Sequence, residues 1–303
     1  MTQYQFYTAD VFTNTIFGGN PLAVFPDAQG LNDELMQKLA KEFNLSETAF
    51  VLPPADSRHT KRLRIFTPGT ELPFAGHPTL GTAHVLATIG AISLTADQTT
   101  VIFEEEVGPI QVTIRSQAGQ PVSAALKAAK LPEFGPQPPD SATLASMLSL
   151  TSDNILTGEW SLAAVSCGVP FLFVPVRDRT ALGQAAVNRE QWHHHLKSFW
   201  APHLYVFCFD PERHGSDVRS RMFAPAMGIE EDPATGAAAT AFAGYLGVRH
   251  SATDGTLRWT VEQGFEMGRP SILNIQAEKR AGEIVSVQVG GQSVLVSEGT
   301  IEL

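Results

Sequence analysis

Two segments of the chain repeat one spacing of proline, glycine and alanine. Residues 76–90 read GHPTLGTAHVLATIG, and residues 231–247 read EDPATGAAATAFAGYLG. In both, a polar residue and a proline are followed, after two residues, by glycine, a small residue and alanine. The residue before the proline suits a helix cap, proline suits the first helical position, and the closing Gly90 and Gly247 suit the helix end. The repeat predicts two similar helices in two similar halves.

The composition of these segments predicts that both helices are buried. They are rich in alanine and almost without charge, which is typical of a helix covered on all sides, such as one lying in the concave face of a sheet. A glycine in the first turn, Gly81 or Gly236, lets another group approach the backbone, and a helix N-terminus attracts anions. One copy of such a pattern often has no ligand. Two copies favour a cleft with two sets of backbone donors.

The rest of the chain contains more predicted strands than helices. Asn32 can cap a helix that runs to about Phe43, with Leu35, Met36, Leu39, Ala40 and Phe43 on its apolar face. A second short helix is predicted around 141–148. Strands are predicted at 5–12, 22–25, 63–66, 101–103, 110–115, 171–176 and 204–209. This balance predicts an α+β fold, not a doubly wound parallel sheet.

Loop-forming residues divide the chain near its middle. Residues 117–120 and 131–140 are rich in proline, glycine and small polar residues. We therefore predict a boundary near residue 118. The N-terminal domain would contain 1–118 and about 293–303, and the C-terminal domain 119–292.

Charge and cysteine content narrow the class of partner. The formal net charge is −10, which argues against nucleic acid or an anionic membrane as the main partner. We expect no secretory signal and no membrane span, because no apolar run is long enough. Two cysteines give no disulfide framework. A cytoplasmic protein with a small-molecule substrate is the simplest interpretation.

Several familiar chemistries find no support in the sequence. There is no nucleotide-binding glycine motif, zinc-protease motif or serine-hydrolase motif. The run His193-His194-His195 lacks the i, i+4 spacing of a helical metal site, so we predict a surface patch and no metal. Cys167 and Cys208 lie in apolar, strand-like surroundings and are predicted to be buried and inert.

Five motifs in order resemble one known family, the phenazine-biosynthesis PhzF-like proteins, which share the diaminopimelate-epimerase fold. The resemblance covers nearly the whole chain. It is carried by residues 18–24 (GGNPLAV), 45–50 (LSETAF), 74–83 (FAGHPTLGTA), 231–236 (EDPATG), and 262–264 (EQG) with 267–271 (MGRPS).

The resemblance implies two similar domains, each a curved, mostly antiparallel sheet around a central helix, with the active site between them. It also implies an isomerase without metal or organic cofactor, commonly a homodimer. The acid/base glutamate of the family falls on Glu47, and its pocket residues fall on Gly76, His77, Asp232 and Gly236. Where the family often has serine after that last glycine, this chain has Ala237, so one hydroxyl contact is missing from the binding site.

Each candidate role has a plainer alternative. Glu47 can move a proton from one carbon to another, or be a solvated turn residue. His77 can donate to a substrate, share a proton with Glu47, or cap a helix. Asp232 can bind an amino or hydroxyl group, or serve only as a helix cap.

The predicted function is a proton shift on a small carboxylate-bearing substrate, with Glu47 as the single acid/base. Two alternatives stay open: a binding protein that has lost catalysis, and an epimerase or racemase. The related amino-acid epimerases use a pair of thiols near the starts of the two helices, and this chain has no cysteine at either start, which disfavours a thiol-dependent racemase.

Overall fold

The computed structural model describes residues 2–303, which form eighteen strands and six α-helices. The strands are β1 (Gln3–Val11), β2 (Asn20–Phe25), β3 (Glu47–Leu52), β4 (Lys61–Phe66), β5 (Glu71–Leu72), β6 (Gln98–Glu105), β7 (Gly108–Gln117), β8 (Gln120–Lys127), β9 (Glu133–Phe134), β10 (Ala163–Ser166), β11 (Pro170–Pro175), β12 (His203–Cys208), β13 (Val218–Ala224), β14 (Ile229–Asp232), β15 (Gly255–Gln263), β16 (Ser271–Arg280), β17 (Glu283–Gly291) and β18 (Ser293–Glu302). The helices are α1 (Asp33–Phe43), α2 (Gly76–Thr88), α3 (Ser141–Met147), α4 (Arg179–Gln184), α5 (Arg189–His195) and α6 (Gly236–Arg249). The predicted α+β class is confirmed.

The chain forms two compact units. The first contains Met1–Lys127 and Gly290–Leu303, and the second contains Ala128–Val289. The loop signal near residue 118 is not a boundary, because Ala118 and Gly119 form the turn between β7 and β8, with Gln117 opposite Gln120. Both turn residues have positive φ angles, 51° and 75°, as a two-residue hairpin turn requires. The loop-forming residues 117–120 therefore mark a tight turn inside the first unit.

The strand pairing in the first unit follows a fixed order. β1 pairs antiparallel with β18 and β2, β2 runs parallel to β3, and β3 is antiparallel to β4. The short β5 folds back on β4, and β4 runs parallel to β6, which begins the antiparallel series β6, β7, β8. Helix α1 connects β2 to β3, and α2 connects β5 to β6.

The second unit repeats this order with different residues. β10 is antiparallel to β11, β11 is parallel to β12, and β12 is antiparallel to β13. The short β14 folds back on β13, and β13 runs parallel to β15, which pairs antiparallel with β16. Helices α4 and α5 lie between β11 and β12, and α6 lies between β14 and β15. The strand order therefore confirms the duplication predicted from the repeated segments.

Helix α1 shows how local sequence sets these elements. The Asn32 side chain accepts a hydrogen bond from the backbone N–H of Leu35, and Asn44 ends the helix in a left-handed conformation with φ of 49°. Met36, Leu39 and Ala40 are buried against a cluster that includes Phe25 and Phe50. The predicted cap and apolar face are both confirmed.

The two central helices, α2 and α6, are buried as predicted. Every residue from Gly76 to Ala87 is buried in α2, and eleven of the fourteen residues of α6 are buried. α2 contacts strands β1, β2, β3, β7, β8 and β18, whereas α6 contacts β10, β11, β15 and β16. The rings of Phe242 and Tyr245 in α6 lie within an aromatic cluster that includes Phe173 and Phe207.

The ends of the central helices differ in part from the prediction. Gly90 has φ of 76° and follows α2, as expected of a terminating glycine. Gly247 lies inside α6, which continues to Arg249. A Cβ atom on Gly247 would lie 2.9 Å from Ile284 Cδ1 and 3.1 Å from Ala277 Cβ, so this glycine allows close packing. The prediction that Gly247 stops the helix was wrong.

Among residues 2–303, no helix combines the length and the apolarity needed to cross a bilayer.

Candidate functional site

Glu47 lies at the start of strand β3, shortly after the end of helix α1. After Asn44 ends the helix, two residues lead into β3, and Glu47 is the first residue of that strand. The parallel pairing with β2 places Glu47 opposite Leu22. Its side chain is only 12% exposed. The carboxyl group is therefore largely withdrawn from water, unlike that of an ordinary turn glutamate.

His77, the second residue of α2, contacts this carboxyl group. Its Nε2 atom lies 3.1 Å from Glu47 Oε2, and the His77 side chain is 6% exposed. Burial lowers the pKa of His77 to about 3, although a hydrogen bond with the backbone of Pro21 opposes this shift. The imidazole is therefore neutral at pH 7.

The Pro21 contact fixes which nitrogen of His77 carries the hydrogen. Proline has no backbone N–H, so the ring N–H must donate to the Pro21 carbonyl oxygen. Because Nε2 faces Glu47, the donating atom is Nδ1. Nε2 then presents a lone pair to Glu47 Oε2, and two lone pairs at 3.1 Å attract only if a proton lies between them. A proton that the Glu47 carboxylate takes up would therefore be held on the Glu47 side of the contact.

The start of α2 differs from the predicted pattern. The helix begins at Gly76 with Ala75 as its cap residue, so His77 and Pro78 lie inside the first turn, and His77 is not the cap. Gly81 is the sixth residue of the helix, and a Cβ atom there would lie 2.6 Å from both Leu22 and Val11. Gly81 serves close packing, and Gly76 is the glycine at the helix start. The prediction of proline at the first helical position was wrong.

The second repeated segment places Asp232 outside its helix. Asp232 ends β14, and α6 begins at Gly236 with Thr235 as its cap residue. Asp232 is buried, and its Oδ2 atom accepts a short hydrogen bond from the Thr235 hydroxyl group. The predicted cap role of Asp232 was wrong, as was the prediction that Pro233 opens the helix. Gly236 is buried, and Ala237 is half-buried without a hydroxyl group in the first turn of α6.

Gln263 holds this segment and was not predicted as a site residue. Its Nε2 atom donates to the Asp232 carbonyl oxygen at 2.8 Å, and its Oε1 atom accepts from the Thr235 N–H at 3.2 Å. The next residue, Gly264, has φ of 76°, and a Cβ atom there would lie 2.5 Å from the Pro233 carbonyl oxygen. The Gln263-Gly264 pair in the 262–264 motif was the sequence signal that could have identified Gln263 as a supporting residue.

Another buried carboxyl group, that of Glu105, was also missed. It ends β6, and its Oε1 atom lies 2.7 Å from the hydroxyl group of Thr79 in the first turn of α2. The sequence signal was its position: Val101, Phe103 and Glu105 alternate on the buried face of the strand.

The two cysteines and the run of three histidines show no feature of an acid/base or metal site. Burial raises the pKa of the Cys167 thiol to about 12 and that of Cys208 to about 11, so neither is a thiolate at neutral pH. Cys208 is buried as predicted, whereas Cys167 is only half-buried. The three consecutive histidines are exposed at the end of α5. Over residues 2–303, no cluster of three or more histidine, cysteine or acidic side chains is arranged to hold a metal ion.

Comparisons with known proteins cover nearly the whole chain. A family model described as phenazine biosynthesis-like protein, PhzC-PhzF, matches residues 9–299. An uncharacterized isomerase of Mesorhizobium japonicum is 39% identical over 96% of this chain and 96% of its own length. The trans-2,3-dihydro-3-hydroxyanthranilate isomerase of Pseudomonas chlororaphis is 35% identical over 99% of this chain and 100% of its own.

The fold also matches a solved structure. The crystal structure of a Bacillus anthracis phenazine biosynthesis protein of the PhzF family aligns with a TM-score of 0.88 over 100% of both chains, at 24% identity. A fold, a family model and relatives that cover the full length agree with one another. The chain belongs to the PhzC-PhzF family and is an isomerase.

Proposed function

We propose that the chain catalyses a proton shift on a small carboxylate-bearing substrate, with Glu47 as its single acid/base and without a metal ion or organic cofactor. The observation that carries this proposal is the buried contact of 3.1 Å between Glu47 Oε2 and His77 Nε2. A neutral histidine beside a shielded carboxyl group lets that group release and take back a proton without the solvation of bulk water.

The proposed reaction conserves atoms and electrons. The Glu47 carboxylate takes a proton from one carbon, so a C–H bond breaks and an O–H bond forms, and the electron pair spreads into the adjacent unsaturated system. The same proton, or one exchanged with solvent, then goes to a different carbon of the substrate. Backbone N–H groups at a helix start are suited to stabilise the transient negative charge.

The substrate class is proposed from the relatives and the residues together. A relative that is 35% identical is named for trans-2,3-dihydro-3-hydroxyanthranilate, a small ring with carboxylate, amino and hydroxyl groups. We assign the substrate carboxylate to backbone N–H groups at Gly76, Gly236 and Ala237, and an amino or hydroxyl group to Asp232. That both helix starts serve one substrate is part of the proposal, supported by the duplicated strand order. A homodimer stays a prediction.

The test is solvent deuterium incorporation during turnover. Wild-type protein is incubated with trans-2,3-dihydro-3-hydroxyanthranilate in D2O, and deuterium in the product is located by NMR. We expect incorporation with wild-type protein and none with Glu47→Gln, because an amide cannot accept the proton. Glu42→Gln, an exposed site on α1, is the matched control and should behave as wild type. Exchange that persists in Glu47→Gln would show that another group is the base.

A further inference from the structure

Glu105 is a buried carboxyl group beside the first turn of α2. The residue is 8% exposed, and its neighbours on the same face of β6, Val101 and Phe103, belong to the core. Its contact on α2 is the hydroxyl group of Thr79, whose Oγ1 atom lies 2.7 Å from Glu105 Oε1. Its other oxygen, Oε2, is buried and makes no hydrogen bond with any part of the chain that the structure describes.

The hydrogen count at Thr79 indicates that Glu105 is protonated. Thr79 Oγ1 lies 2.7 Å from Glu105 Oε1 and also 2.7 Å from the Ala75 carbonyl oxygen. A hydroxyl group has one hydrogen, and a carbonyl oxygen can only accept. Both contacts are full hydrogen bonds only if Thr79 donates to Ala75 and Glu105 donates to Thr79. That arrangement requires a neutral carboxylic acid.

The electrostatic surroundings agree with this count. Burial raises the pKa of Glu105 to about 8, and no charged group contributes to the shift. Other titratable groups lie on the elements around Glu105. They are Lys61, Arg62 and Arg64 on β4, Arg115 on β7, His77 and His84 on α2, and Glu104 and Glu106 on either side of Glu105 itself. Of these, Glu104 is already engaged by His59 and by the backbone N–H groups of Ala55 and Asp56.

We propose that Glu105 is a positioning residue: its neutral carboxyl group donates to Thr79, Thr79 fixes the Ala75 carbonyl at the start of α2, and this chain of hydrogen bonds holds His77 against Glu47 until Glu105 ionises. A carboxylate cannot donate, and it would compete with Ala75 for the single hydrogen of Thr79. A buried charge without a partner also has to draw in water or move. The consequence for catalysis rests on the proposed function of Glu47 and His77.

The test reads the environment of His77 directly and needs no substrate. The protein is labelled with ¹⁵N in its imidazole rings, the His77 signals are assigned with a His77→Gln variant, and their shifts are followed from pH 6 to pH 9.5. Wild-type protein should show a change with its midpoint near pH 8. Glu105→Gln should show none, because the amide donates to Thr79 at every pH. The exposed Glu106→Gln is the matched control and should keep the change.

Two further measurements keep the proposal falsifiable if Glu105→Gln fails to fold. Infrared difference spectra of wild-type protein should show a carboxylic acid band that is lost between pH 7 and pH 9. Thr79→Val should give the alkaline His77 signals already at pH 6. A wild-type His77 signal that stays constant through pH 8, or a titration that survives in Glu105→Gln, overturns the proposal.

Activity supplies a separate readout. With one controlling group of pKa about 8, the protonated fraction falls about tenfold between pH 7 and pH 9, and wild-type kcat should fall with it. The pH 9 to pH 7 ratio should be close to one in Glu105→Gln. If the His77 signals titrate while Glu47→Gln retains activity, the positioning role holds and the proposed function fails.

Discussion

The first turns of α2 and α6 come from the same repeated pattern, yet their side chains differ in what they can do. At α2, Glu47 and His77 form a buried contact in which one proton can be exchanged. At α6, Asp232 is fixed on both sides, because its carboxylate accepts from Thr235 and its carbonyl oxygen accepts from Gln263. The duplicated backbone has kept its strand order while its two helix starts have diverged. On the proposed function, the first helix start would carry out the proton transfer and the second would bind the substrate.

The largest effect should come from removing the proposed proton carrier of the first unit, Glu47. We expect Glu47→Gln to lower kcat about 10³-fold, within the range attributed to general acid–base groups, with little change in KM. Initial rates at saturating substrate measure this directly. A large rise in KM with kcat intact would mean that Glu47 binds substrate, and the contrast between the two helix starts would be lost.

The second largest effect should be on stability, in the other unit. Gln263→Ala removes hydrogen bonds to Asp232 and Thr235 and leaves a cavity at a fully buried position. We expect a loss of about 3 kcal/mol in the free energy of unfolding. Urea unfolding followed by circular dichroism measures it, with the exposed Gln292→Ala as control. A loss below about 1 kcal/mol would show that Asp232 is held by Thr235 alone.

Acid should loosen α2 more than α6. Burial lowers the pKa of His77 to about 3 and that of His84, also on α2, to about 4, whereas α6 contains no histidine. In the unfolded chain the two histidine rings gain a proton near pH 6.5, whereas in the folded protein they stay neutral to a lower pH. The unfolded state therefore binds more protons below pH 6.5, and the free energy of unfolding decreases as the pH is lowered. Each ring should cost about 1 kcal/mol per pH unit between pH 6.5 and pH 4.

Amide hydrogen exchange, corrected for its intrinsic pH dependence, compares the two helices. Between pH 6.5 and pH 5.5 the opening free energy of α2 should fall more than that of α6. His84→Leu should remove about half of the difference, while the exposed His193→Gln should leave it unchanged. Equal losses in both helices would mean that the buried rings do not control the acid sensitivity.

Asp232 should show the opposite kinetic signature to Glu47. Asp232→Asn keeps an oxygen that accepts from Thr235 but removes the negative charge, so an ammonium group of the substrate would be bound less tightly. We expect KM to rise about tenfold, with kcat within about threefold of wild type. Thr235→Val tests whether the hydroxyl group holds Asp232 in place. A loss confined to kcat would assign Asp232 to the chemical step.

The sequence predicted the architecture better than the atoms of the site. Buried central helices and duplicated halves follow from composition and spacing, which do not depend on where each helix starts. The predicted starting residues of the helices were wrong. In the second unit, β14 ends at Asp232 and a short connection contains Pro233, so α6 begins only at Gly236. Glu47 and His77 are thirty positions apart in sequence, and only the parallel pairing of β2 with β3 and the packing of α2 bring them together.

The supporting residues were harder to predict for a physical reason. Gln263 and Glu105 act through hydrogen bonds to partners far away in the sequence, Asp232 and Thr79, and no local period records such pairs. Their common signal is a polar side chain at an inward position of a strand. Such a residue is costly to bury without a partner, so its presence on an apolar face indicates that a partner exists.

The smallest predicted effect concerns Ala237, in the first turn of α6. Ala237→Ser restores the hydroxyl group that the family resemblance leads one to expect there, at a half-buried position. We expect kcat/KM for trans-2,3-dihydro-3-hydroxyanthranilate to rise about threefold, the size of one modest hydrogen bond. The control is Ala238→Ser, which places the same group in the buried face of the same helix and should only destabilise the fold. A fall in kcat/KM for Ala237→Ser would mean that alanine is selected for a different substrate. The start of α6, and not the proposed proton carrier Glu47, would then distinguish this isomerase from its relatives.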